Sequence, residues 1–204
     1  MTERYFPNSS RFAARWEQLR REALTIAGLF DRIPRFHEIM REQRDISAND
    51  GRDWRMFVMK AYGHTVADNL GRAPALAAIL RECPEVVSAT YSYLASGKHV
   101  PKHRGPFRGI LRFHLGLSMP RDAKGNLGNI LWIDGVPHLL DNGECLLWDD
   151  TYPHELLNMT DEVRVVLLLD VWRREMPADM TAFSKAVVGG MRAMCRANPQ
   201  AFAG

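Results

Sequence analysis

Two histidines, His103 and His154, lie far apart in the chain, each in a segment rich in turn-forming residues, HRGPF and DDTYPHE. Each is followed by an apolar run with one embedded arginine, Arg112 within Gly109–Met119 and Arg164 within Val163–Trp172. Imidazoles that a fold brings together can share a metal ion, and a guanidinium offers a planar fork to a carboxylate. Strand alternation puts Ile110, Arg112, His114 and Gly116 on one face, opposite Leu111, Phe113, Leu115 and Leu117. In the second run Arg164 shares a face with Val166, Leu168 and Asp170, opposite Val163, Val165, Leu167 and Leu169. Both faces of both runs are apolar enough to be covered, so each arginine needs an anionic partner: an internal Asp or Glu, or a ligand. An internal carboxylate is the commoner answer for one arginine. Two of them, each close behind a loop histidine, tilt the balance toward a ligand.

The remaining histidines say less. His37, His64 and His138 read as surface or satisfied core residues. His99 and His103 are spaced for one helix face, but Gly97 and Pro101 argue for a loop there.

The elements that must position these groups change character along the chain. A helix is expected from Asn8, Ser9 or Ser10 to about Leu29, another over Thr65–Cys83, and a third over Ala178–Arg196, weakened by Gly189 and Gly190. The polar segment Arg41–Asp53 reads as an exposed loop. From Glu85 onward the pattern becomes that of strands. They fall at Val86–Leu94, Gly109–Met119, Asn129–Asp134, Pro137–Leu140, Glu144–Trp148, His154–Met159 and Val163–Trp172, with turns at Asp134-Gly135 and Asp141-Asn142-Gly143. Short strands joined by tight turns describe an antiparallel sandwich or jelly roll. The fold class expected is therefore mainly β with flanking helices. It makes one domain over residues 1–204: a helical part at 1–84, a β core at 85–173 and a C-terminal helix at 178–196.

With 46% hydrophobic and 25% charged residues the composition is that of a globular protein, and the net charge of +3 is too scattered to mark a nucleic-acid binder. Cys83, Cys145 and Cys195 lack the number and spacing of a disulfide framework or zinc knuckle, which suits a reducing cytoplasm. No signal peptide or transmembrane segment is read. Oligomeric state is left open.

Taken together, HRGPFRGILRFHLGL, LLWDDTYPHELLN and RVVLLLDVWR resemble the signature region of the aspartyl/asparaginyl β-hydroxylase family. The resemblance is close from about Val86 to Trp172, and Trp54 and Phe57 match a W-x-x-F pattern more loosely. It implies a double-stranded β-helix (cupin-like jelly roll) carrying an oxygenase that uses iron(II), 2-oxoglutarate and O2. By position it makes His103 and His154 the metal ligands and leaves Gly105 where related oxygenases carry a third, carboxylate ligand. It assigns the distal carboxylate of 2-oxoglutarate to Arg164 and Ser92, and a further polar pair, Arg112 and His114, to the cosubstrate or to the substrate. Arg112 is thereby also a catalytic candidate. Asp149 and Asp150 are expected to orient the histidine loop.

The implied substrate is a small molecule or peptide with an acidic group, hydroxylated at the β-carbon of an aspartyl or asparaginyl side chain. Arg112 with Lys98, Lys102, Arg104 or Arg108 would receive that group. A lipid A acyl hydroxylase relative ranks lower because no membrane-binding segment is evident. A cupin-type binding protein without turnover, or a purely structural protein, is the rival from another class.

Overall fold

The computed structural model describes residues 2–202. Short helices α1 (Thr2–Tyr5), α2 (Ser9–Ala13), α3 (Trp16–Ala27) and α4 (Phe36–Ile39) precede strands β1 (Trp54–Ala61) and β2 (His64–Thr65). Helices α5 (Ala67–Gly71) and α6 (Pro74–Leu80) lead into β3 (Val86–Leu94), β4 (His99–His103), β5 (Ile110–Ser118), β6 (Asn129–Ile133) and β7 (Val136–Leu139). The chain continues through β8 (Cys145–Trp148), β9 (His154–Asn158) and β10 (Arg164–Trp172) to the C-terminal helix α7 (Ala178–Ala197).

Pairing follows one nested antiparallel hairpin. β6 pairs with β7, β5 with β8, β4 with β9 and β3 with β10. Its tip is the two-residue turn Asp134–Gly135, with φ of 51° and 83°, the left-handed pair that matches strand twist. The hairpin is wound so that its strands divide between two sheets, β2-β1-β3-β10-β5-β8 and β4-β9-β6-β7. This is the double-stranded β-helix expected from the sequence.

The alternation read from β5 and β10 is the one observed. Leu111, Phe113, Leu115, Leu117, Val165, Leu167 and Leu169 face outward into a core closed by Phe6, Phe12 and Leu19 of the N-terminal helices. Phe6 meets Phe113 edge-on at 5.2 Å between centroids. The opposite face looks into the roll, where Phe36, Trp54, Leu94, Val100, Leu131, Trp148 and Leu156 form a second core.

Several boundaries differ from the expectation. The part at 1–84 is not wholly helical: β1 extends the large sheet, and its residues do not alternate because helices cover one side and the roll interior the other. The first helix breaks between α2 and α3, and the expected Thr65–Cys83 helix splits because Thr65 pairs in β2 and Pro74 starts α6. His99–His103 forms β4 rather than a loop; β4 is an edge strand, where Pro101 costs no ladder bond.

Candidate functional site

The winding of the hairpin solves the problem of distance along the chain. His103 ends β4, His154 begins β9, and the two are direct cross-strand partners with ring centroids 4.0 Å apart. Each ring donates its Nδ1 hydrogen to a carbonyl two residues earlier, His103 to Pro101 at 2.8 Å and His154 to Tyr152 at 2.9 Å. A carbonyl can only accept, so both Nε2 atoms keep their lone pairs. Burial holds both imidazoles neutral, lowering His103 and bringing His154 down to about 4, with His103 adding to the effect on His154. Two neutral rings, each fixed in tautomer by a backbone acceptor, fit a divalent metal ion.

No third side chain joins them: among the described residues no group of three His, Cys, Asp or Glu is arranged to hold a metal. At Gly105 the reason is steric. A Cβ there would lie 2.3 Å from the Asp150 carboxyl, so Asp150 fills the space in which a third ligand would begin. Asp150 is buried, one of its oxygens meets Arg112 Nη1 at 3.1 Å and the other has no partner, and burial raises its pKa. Gly105→Ala is expected to cost about 1–3 kcal/mol through overpacking. In thermal melts the double variant Gly105→Ala/Asp150→Ala should then fall short of the summed single losses.

Arg164 occupies the opposite situation. It is 3% exposed, its Nε has no hydrogen-bond partner, and no described carboxylate pairs with it. Burial alone lowers its pKa to about 10, so it is charged at neutral pH with nothing to balance it. Beside it, His114 has neither ring nitrogen partnered, and burial, followed by the Arg164 charge, holds it well below its ordinary value. Both line a narrow cavity whose other walls include Asn129, Leu131, His138 and Leu156. Trp148 stands edge-on to His154 at 4.7 Å and to His114 at 5.7 Å, which puts this cavity next to the histidine pair. An unmatched buried cation beside a partnerless donor ring fits the carboxylate of an anionic ligand. His138, read from sequence as incidental, belongs to this lining; no spacing signal marked it.

The remaining candidates are placed differently. Ser92 is buried and its Oγ accepts the Trp54 Nε1 hydrogen at 2.9 Å, leaving its own hydroxyl hydrogen free to donate. It lies on the strand beside Arg164, β3 pairing with β10, without lining the narrow cavity. Arg112 shares a strand face with His114 but opens into a second, wider cavity together with His103. Its guanidinium is already matched by Asp170 at 3.1 Å and by Asp150, which together raise its pKa although burial would lower it. Here the internal-carboxylate alternative holds. Lys98 does not join a basic mouth: it is fully buried and donates to Ser47 O, Asn49 Oδ1 and Asp50 Oδ1. Arg104 and Arg108 reach the histidine loop instead, donating to Thr151 O and Thr151 Oγ1. Asp149 caps that loop at Thr151 N and Oγ1 and pairs with Arg173, so it orients the loop as expected.

The second cavity is lined by the apolar Phe36, Met40, Trp54, Met56, Val58 and Leu168 and, with His103, by the charged Lys60, Arg112, Asp150 and Asp170.

The family model for aspartyl/asparaginyl β-hydroxylase matches residues 13–174. The chain belongs to the aspartyl/asparaginyl β-hydroxylase family. It is 32% identical over 165 residues to an ornithine lipid ester-linked acyl 2-hydroxylase of Rhizobium tropici, covering 81% of this chain and 57% of that protein. It is 28% identical over 170 residues to the aspartyl/asparaginyl β-hydroxylase of Homo sapiens, covering 79% of this chain but 20% of that protein. The chain thus spans little more than half of the first relative and a fifth of the second. Among solved structures, a Cupin_2 domain of an XRE family transcriptional regulator from Enterobacter cloacae overlaps 46% of this chain and 87% of its own, at TM-score 0.36 and 17% identity. Family relatives that bear activity names are hydroxylases, which supports an oxygenase here. No described helix is long and apolar enough to cross a membrane.

Proposed function

We propose that this protein is an iron(II)- and 2-oxoglutarate-dependent hydroxylase and that its substrate is the acyl chain of a lipid. The balanced reaction is R–H + 2-oxoglutarate + O2 → R–OH + succinate + CO2. Iron with the keto acid would supply the oxidant for an unreactive C–H bond. The chain's own part is to hold the metal through His103 and His154 and to keep both rings neutral through Pro101 O and Tyr152 O. Arg164 and His114 grip the far carboxylate of the cosubstrate, with Ser92 close by as a hydroxyl donor. The apolar walls exclude water. No residue is needed as a general base.

The observation that carries the cosubstrate is the buried, unmatched Arg164 guanidinium beside His114, which Trp148 links to His154. The substrate class rests on the second cavity, which His103 lines and whose apolar residues, Phe36, Met40, Trp54, Met56, Val58 and Leu168, suit methylene groups. The aspartyl substrate suggested by the sequence is displaced to second place because Arg112, its intended anchor, is occupied by Asp150 and Asp170. The rhizobial relative's name adds weight to the acyl reading.

Mass spectrometry after incubation with iron(II), ascorbate and 2-oxoglutarate separates the two. An ornithine lipid is expected to gain one oxygen on an acyl chain, and an aspartyl peptide none. Oxygen gained by the peptide alone would overturn the acyl reading. A second consequence concerns the wall: Val58→Glu, a charge placed in the apolar lining, should lower turnover of the lipid at least tenfold, about 1.4 kcal/mol. It should leave iron-dependent binding of 2-oxoglutarate, read by calorimetry, unchanged.

A further inference from the structure

We infer that the outer face of α7 seats the protein on a bilayer surface carrying anionic headgroups. The helix packs inward through Ser184, Val188 and Cys195. Val188 joins Val87 and Ile110, and Cys195 joins Val58, Ala61 and Phe202. Outward it leaves Met180, Phe183 and Met194 at 41%, 58% and 65% exposed, three of the eight large apolar side chains left exposed in the described chain. At helical spacing these three, with the partly covered Val187, form one stripe along the helix. Between the stripe and the opposite edge lie Ala182, Ala186, Gly190 and Ala193, all exposed, so the solvent side of α7 is apolar for most of its length.

Charge selects the occupant. Lys185 and Arg196 are exposed along the edge opposite the large apolar side chains; just before the helix Arg174 is exposed beside Glu175, which pairs with Arg4. The helix carries one acid, Asp179, in its first turn, engaged with the Met180 amide. A second copy of the same face would therefore bring like charges together, whereas an anionic bilayer supplies the complement. A helix of 20 residues that is apolar on one side, bordered by basic residues and too polar to span lies in the interface plane. The inward side of the helix, opposite this face, adjoins the site: Cys195 packs on Val58 and Ala61, and Phe202, just beyond the helix, lines the second cavity. Membrane docking suits the acyl reading but is argued from α7 alone.

Vesicle co-sedimentation of the full chain tests it, comparing phosphatidylcholine vesicles with vesicles containing phosphatidylglycerol. Binding is expected only with phosphatidylglycerol present, weakening as salt is raised. Phe183→Glu/Met194→Glu should reduce it at least about tenfold, given the apolar area each side chain would bury. Lys185→Glu/Arg196→Glu should reduce it comparably, and unchanged thermal melts would show that all variants fold. No binding to phosphatidylglycerol vesicles would overturn the inference, as would binding indifferent to Phe183→Glu/Met194→Glu. A dimer in light scattering that this variant converts to monomer would assign the face to a second copy and overturn it too. Since no turnover is read, vesicle binding without acyl hydroxylation leaves the docking face standing and removes only the substrate reading.

Discussion

His103→Ala and His154→Ala are each expected to abolish hydroxylation and to weaken iron(II) binding by more than about 100-fold, beyond the usual loss from disturbing a group that merely supports a ligand. With two side-chain ligands and no third, either change leaves a single imidazole, which cannot retain the ion at micromolar concentration. The fold should survive. Both residues sit at strand ends, each contributes one hydrogen bond to a neighbouring carbonyl, and the rings are desolvated without full compensation. Stability should therefore change by no more than about 1.5 kcal/mol. Metal content of the purified variants and their melting curves check the two halves separately. A variant that keeps stoichiometric iron would remove that histidine from the site.

Arg164→Met should move two measurements in opposite directions. The guanidinium is buried without a counterion, and its depression to about 10 corresponds to roughly 3 kcal/mol of unfavourable burial in the ligand-free fold. The sign is that of a base whose folded pKa is depressed. At this group the folded chain binds no more protons than the unfolded one at any pH, the cost is fully present at neutral pH, and stability is regained as pH rises above about 10. Methionine removes the charge at similar volume, so the metal-free, ligand-free protein should melt at a higher temperature. At the same time 2-oxoglutarate loses its charge-assisted partner, a loss of about 2–5 kcal/mol, or roughly thirtyfold to several thousandfold in affinity. A cation kept at a cost to the empty fold is a sign of selection for binding. Lower stability with unaltered cosubstrate affinity would assign Arg164 to structure instead.

Much of this was legible in the residues. Alternation along Gly109–Met119 and Val163–Trp172 gave the faces of Arg112, His114 and Arg164 correctly, because both strands are central and their two apolar faces pin the register. The winding of the hairpin was beyond local periodicity; the family resemblance carried the convergence of His103 and His154. β4 was hidden by Gly97 and Pro101, turn signals that an edge strand tolerates. β1 was hidden because burial on both sides erases alternation. The partners of Arg112 were misjudged for a different reason. Asp170 sits on the neighbouring strand directly across from Arg112, but strand order has to be known before that pairing can be seen. The cavity that His103 lines is assembled from α4, β1, β3, β4, β5 and β10, so no single stretch of sequence shows it.

In the function proposed, one site is shared: the His103–His154 pair holds iron and Arg164 holds the far end of a keto diacid. Anaerobic calorimetric titration of 2-oxoglutarate into the iron-loaded protein tests this most directly. One equivalent should bind per chain, tightly with iron present, weakly without it, and weakly again in Arg164→Met. Binding of the same strength with and without iron, or untouched by Arg164→Met, would contradict the account.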